Sequence, residues 1–207
     1  MKLSKLLRTK LFLAILLLWG NMVLGQVHWE TFSGNLFTNN ATTMYFDSTD
    51  NSLYISGYYE RQDGSREITN RIIRINQNKT IDTLPAFNGL RYVDAIIKWN
   101  GKLYVGGSDV FVLENNTWRK VDNSDPYAPA IGVYSFCEYK GNLIIGGVFI
   151  DSSFNGVHGE SHVVSYDGTH FTRFMGEDSV ISSGGIINSI VEYNGKLIIA
   201  GNFAGFP

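Results

Sequence analysis

Apolar and polar residues alternate with a period of two over short stretches, and turn residues break those stretches at regular intervals. The clearest instance is Ser189-Ile190-Val191-Glu192-Tyr193-Asn194-Gly195-Lys196-Leu197-Ile198-Ile199-Ala200-Gly201. It reads as strand, two-residue turn, strand, because Asn-Gly accepts positive φ at both central positions of a type I′ turn. The same phrase recurs at 135–149 (SFCEYKGNLIIGGVF) and 95–109 (AIIKWNGKLYVGGSD), and a looser copy at 43–59 has a longer turn.

The alternation predicts strands at 27–32, 43–46, 53–56, 71–75, 80–84, 92–99, 102–106, 110–113, 117–121, 133–139, 142–146, 162–166, 170–174, 187–193 and 196–200. The glycines that close the second strand of each unit are Gly57, Gly107, Gly147 and Gly201, spaced by 50, 40 and 54 residues. Two hairpins per unit at that period predict an all-β fold, a β-propeller of four-stranded antiparallel blades. The organisation follows: 1–25 as a signal peptide, 26–41 as a lead-in strand, then blades at 42–89, 90–131 and 132–185, with a partial blade at 186–207. The lead-in VHWETF has the character of a fourth strand, set to complete a blade begun by the last two strands. The count predicts an incomplete arc of about three and a half blades, shorter than a six- to eight-bladed relative. Its unclosed blade faces invite self-association.

The repeat phrase, with Gly106-Gly107 and Gly146-Gly147 after the second strand and Trp118 and Phe171 on the fourth, resembles kelch-type β-propellers. Phe149 and Phe203 after the second strand belong to the same pattern. It is most similar to the large secreted bacterial propellers that often carry a type IX secretion sorting domain. Ser56-Gly57 and Ala200-Gly201 depart from the diglycine by one small residue each. The resemblance implies a fold and a secreted setting, but no particular activity, since propellers host many.

Composition changes the picture in two places. Lys2, Lys5, Arg8 and Lys10 precede the apolar run 11–19, and small Gly25 permits cleavage before Gln26, so the chain reads as exported to the cell surface or medium. That run is too short for a membrane span, and no span is expected after cleavage. Without those four cations, 13 of the 17 basic residues face 19 acidic ones, a formal net charge of −6. With no basic cluster left, nucleic acid is excluded as a partner. Cys137, the single cysteine, occupies the position of Ile97 and Val191 and reads as a small buried hydrophobe.

Candidate chemistry lies in the loops. Connections between strands one and two, and three and four, are tight, whereas those between two and three, and four and one, are long: 58–70, 85–89, 122–131, 151–161 and 175–186. Antiparallel order puts the long set on one face, where a rigid scaffold usually carries binding. Tyr58, Tyr59, Arg61 and Asp63, with Phe154, His158 and Glu160, are the candidate contacts there for a protein or glycan ligand. His158, Glu160 and His162 fall two apart, the spacing at which an extended chain can converge on a metal, though a solvated loop running into a strand is the plainer reading. The turn aspartates do not match an EF-hand loop. Ser165-Tyr166-Asp167-Gly168 only partly matches the Asp-box of sialidase propellers, and a copper-oxidase site would need a cysteine outside the core. The expectation is therefore a non-catalytic binding or scaffold module, with no cofactor. The alternative is the propeller portion of a secreted carbohydrate-active enzyme or oxidase whose catalytic part is not in this chain.

Overall fold

The computed structural model describes residues 41–57, 72–85, 92–121, 132–149, 162–174 and 185–202, all within the unit Asn35–Pro207. The expected signal segment 1–25 and the strand at 27–32 lie outside the described residues. Among these residues fourteen strands are found: β1 (Ala41–Asp47), β2 (Ser52–Gly57), β3 (Ile72–Ile75), β4 (Ile81–Thr83), β5 (Ala95–Trp99), β6 (Lys102–Gly106) and β7 (Val110–Glu114). They continue as β8 (Thr117–Lys120), β9 (Gly132–Tyr139), β10 (Asn142–Val148), β11 (Val163–Tyr166), β12 (Phe171–Arg173), β13 (Ile186–Tyr193) and β14 (Lys196–Asn202). Every strand pairs with its sequence neighbour. The result is three four-stranded antiparallel sheets, β1–β4, β5–β8 and β9–β12, and a two-stranded one, β13–β14. The described residues form an all-β arc of propeller blades that does not close among them, and they contain no helix.

The turns explain the hairpins. Asn100-Gly101 (φ 48° and 73°), Lys140-Gly141 (50° and 81°) and Asn194-Gly195 (52° and 74°) each hold both central residues in the left-handed region. Asn115-Asn116 does the same without glycine (49° and 59°). A Cβ at Gly101 would meet nothing within 4 Å, so conformation alone sets the cost of adding one. Gly101→Ala should destabilise by about 1 kcal/mol, a fall in Tm of about 2–4 °C. A fall several times larger in a thermal melt would show that the turn is sterically crowded.

The blades stack face on face, always in the same sense. The face of β5 that carries Ala95, Ile97 and Trp99 packs with Tyr104 and Val112 against Val133, Leu143 and Ile145 of the next sheet. Tyr45, Tyr54 and Ile72 meet Ile96, Leu103 and Val105 in the same way, and Cys137, Ile144 and Val163 meet Ile187 and Ile190. Each such side chain contributes roughly 1.5–3 kcal/mol on burial. Cys137 is buried and free, as its repeat position suggests, and burial pushes its thiol pKa up. Trp99 is ringed by Tyr104 and Tyr166 at 5.7 and 6.0 Å, and its Nε1 finds no hydrogen-bond partner among the described residues. Phe171 stacks on Tyr166 at 4.5 Å. Trp118 fills its outer wedge half-buried, donating from Nε1 to the Pro85 carbonyl (3.1 Å).

Close approach of blades needs small residues. Ser135 lets β13 come near enough for the Ile190 N–H to donate to its Oγ (2.9 Å). Gly147 is tighter still, since a Cβ there would lie 1.8 Å from the Gly132 carbonyl oxygen.

Three of the four innermost strands also carry an irregularity that alternation did not predict. Pairing skips one residue between Ala41 and Thr43, between Val133 and Ser135, and between Ile187 and Ser189. In the second blade the ladder stops at Ala95, short of the expected start at 92, and the Asp94 N–H donates to the Gly106 carbonyl (2.8 Å). The extra residue turns the strand over, so residues three apart share a face. Val133 and Phe136 both crowd Gly106, and Ile187 and Ile190 both crowd Gly146.

Candidate functional site

The described charges concentrate at the end of the blades that holds the tight turns. Asp47 and Asp50 cap the β1–β2 turn: the Thr49 N–H donates to Asp47 Oδ1 (2.9 Å) and the Ser52 N–H to Asp50 Oδ1 (3.1 Å). From the next blade Lys98 Nζ reaches Asp47 Oδ2 (2.6 Å) and Asp50 Oδ2 (3.4 Å), while Arg74 holds Asp50 at 2.8 Å. Burial alone would raise the Asp47 carboxyl. The hydrogen bonds from Lys98 and Thr49 outweigh it and bring the pKa down from 3.8 to about 2. In the second blade Glu114 is held at about 2 by Arg119 and Lys102, at 2.9 and 2.6 Å. Asp167 accepts from the Thr169 and His170 N–H groups, both at 2.7 Å. These carboxylates are all engaged, and their work is to close turns and fasten blades.

The opposite end begins the innermost strands and receives the long connections. One link there is short: β6 and β7 are joined through Gly107-Ser108-Asp109, closed by the Gly107 N–H donating to the Asp109 carbonyl (3.1 Å). It is an exception to the long-loop pattern expected at this end. Tyr58, Tyr59, Arg61, Asp63, Phe154, His158 and Glu160 lie outside the described residues. Of the weak metal candidates only His162 is described. It is buried just before β11, its carbonyl accepting from the Gly147 N–H (3.0 Å). Among the described residues no group of three or more potential ligands gathers for a metal.

What this end does present is a row made of the skipped residues Thr42, Tyr134 and Asn188 and of Asp94 at the corresponding place ahead of β5, one per blade. Thr42, Tyr134 and Asn188 are exposed and Asp94 half-buried. Burial raises the Asp94 pKa, with no opposing cause. Thr42 Oγ1 donates to the Val93 carbonyl at 2.7 Å, which ties the first of these residues to the neighbour of the second. A signal for them exists in the sequence: Val93-Asp94-Ala95, Val133-Tyr134-Ser135 and Ile187-Asn188-Ser189 repeat an apolar, polar, small triplet in register. Strict alternation hides it.

No family model matches the chain, and no curated protein matches it. Among solved structures it is similar to the extracellular domain of what is described as a one-component system from B. thetaiotaomicron. Identity is 13% and the TM-score 0.52, with 84% of this chain and 22% of that chain covered. The likeness is one of fold, and this chain spans about a fifth of that chain's length. Among the described residues no helix is long and apolar enough to cross a membrane.

Proposed function

We propose that the chain is a secreted or cell-surface propeller module that binds or scaffolds a protein or glycan without catalysis of its own, with its ligand on the long-loop face. One observation carries the reading. The seven turns at the tight end are short, and the carboxylates there are taken up in closing turns and fastening blades, whereas the other end takes the long connections and bears a row of polar side chains. Similarity to an extracellular domain supports the setting, and the export signal and kelch-like repeats read from the sequence agree with it. Self-association is a further part of this reading. Met44 and Phe46 are 67% and 57% exposed on the outer face of the first sheet, and Val191 and Tyr193 are 53% and 66% exposed on that of the last. Those two faces are of the two kinds that pack together at every internal junction.

The test is a binding screen of the chain against glycan and peptide arrays, followed by two sets of variants on any hit. Joint replacement of Tyr58, Tyr59 and Arg61 by alanine should weaken binding by about tenfold or more at unchanged Tm. Asn100→Ala and Asn194→Ala, in the tight turns, should leave affinity alone. The reverse pattern would assign the ligand to the wrong face.

A further inference from the structure

We propose that the row of Thr42, Asp94, Tyr134 and Asn188 along the innermost strands binds an ammonium group, with Asp94 as its counter-ion and Thr42 Oγ1 as a second acceptor. Tyr134 and Asn188 continue the row along which the rest of the ligand lies. This inference rests on the ligand-face reading above and narrows it to a residue set and a ligand chemistry.

The placement comes from backbone register. A skipped residue re-aims a side chain away from the sheet it belongs to, and such irregularities gather beside binding sites. Here one occurs at the same position of β1, β9 and β13, Asp94 stands at the corresponding place just before β5, and those strands lie against one another in order, β1 on β5, β5 on β9 and β9 on β13. Contacts between consecutive blades fall beside these positions. Thr42 reaches the Val93 carbonyl, the Val133 N–H donates to the Gly107 carbonyl (2.6 Å), and Ile187 packs over Gly146. The four side chains therefore follow one another along one rim.

The ligand class comes from hydrogen-bonding capacity. Asp47, Asp50 and Glu114 each hold a cation, and Asp109 holds Lys120 at 2.7 Å. Asp94 is half-buried and has neither ion pair nor side-chain hydrogen bond among the described residues. A carboxylate taken partly out of water without a partner is costly, and a bound cation removes that cost. Thr42 has already given its proton to Val93, so only its lone pairs remain. Asp94 and Thr42 together are thus acceptors only, and an ammonium, with three donors and no acceptor, matches them. A neutral sugar hydroxyl would leave the carboxylate's charge uncompensated. The Tyr134 ring, 38% exposed, follows one blade along the same rim.

The experiment is an amide-detected NMR titration of the chain with two probes, spermidine and the tripeptide acetyl-Gly-Lys-Gly-amide, each beside its N-acetylated, uncharged counterpart. Binding should shift the amides of Thr42, Asp94 and Tyr134, and the uncharged counterparts should not bind. Asp94→Asn should weaken binding by about tenfold with an otherwise unchanged spectrum, and Asp94→Glu should restore part of it. Spermidine alone binding would identify a free polyamine as the source of the ammonium, and the tripeptide alone a lysine side chain. The proposal is overturned if neither probe moves those amides, or if Asp94→Asn binds as well as the parent. If neither probe binds but the loop variants still lower affinity for an array hit, only this site falls. Shifts confined to Asp47, Asp50 and Glu114 would sink both readings.

Discussion

Gly147→Ala should cost the fold about 3 kcal/mol or more, the upper part of the range for an over-packed site. The added Cβ would sit 1.8 Å from the Gly132 carbonyl oxygen and 2.8 Å from its carbon, and main chain cannot swing aside as a side chain can. The displaced atoms belong to β9, whose Val133 N–H ties the third blade to Gly107 of the second. The damage should therefore spread to the junction between blades. Against a typical total stability of about 5–15 kcal/mol, such a loss would show as a large drop in the urea midpoint. Gly141→Ala is the matched control. No atom lies within 4 Å of that Cβ, so only its φ of 81° is unfavourable, and the loss should stay near 1 kcal/mol. Equal midpoints for the two variants would show that β9 and β10 are not packed this closely.

Asp47→Asn should be the next most damaging change. It leaves Lys98 Nζ facing a neutral amide in place of the carboxylate 2.6 Å away. Breaking a buried pair from one side costs about 3–5 kcal/mol. Because Lys98 is 27% exposed on its side chain, about 2–3 kcal/mol is the better expectation. The pH dependence has a definite sign. The folded carboxyl titrates at about 2 and the unfolded one at 3.8, so the contribution is complete above about pH 4 and is lost as the pH falls toward 2. That difference corresponds to about 2 kcal/mol. Thermal melts between pH 2 and 6 should fall less steeply for Asp47→Asn than for the parent. Parallel curves would show that Asp47 does not carry this part of the acid sensitivity.

These two sites mark what the sequence does and does not disclose. Turn chemistry is local, so Asn-Gly and Lys-Gly at the hairpin tips, and the diglycines after the second strand, announce the blades and their period with no help from distant contacts. The capping by Asp47 and Asp50 is local too, and the Asp-Ser-Thr-Asp run shows it. Their partner is not local: Lys98 lies 51 residues on, in another repeat, at a position held by Phe46, Glu138 and Glu192 elsewhere. Nothing in that column of unlike residues marks one member as a clasp. The skipped residues escape the pattern for a different reason. A period-two reading assumes that the register never slips, so it assigns Val133 and Ser135 to one face, where the structure gives Val133 to the face of Phe136. The binding candidates in the long loops fall outside the described residues, so they stand as proposals, with the rim of Thr42, Asp94, Tyr134 and Asn188 now beside them.

Each described strand pairs only with the strand before or after it in the chain, and that has a consequence for assembly in time. Ladder formation needs no distant segment, so the loops closed along the way are short and the entropic barrier to each is low. A four-stranded sheet is complete once its last strand has been delivered, whether from a ribosome or through a translocation pore. What it then lacks is cover for its leading face, which the inner strand of the following sheet supplies within tens of residues. The chain can thus mature in the order of its delivery, and its period of greatest risk is the interval between finishing one sheet and receiving the next.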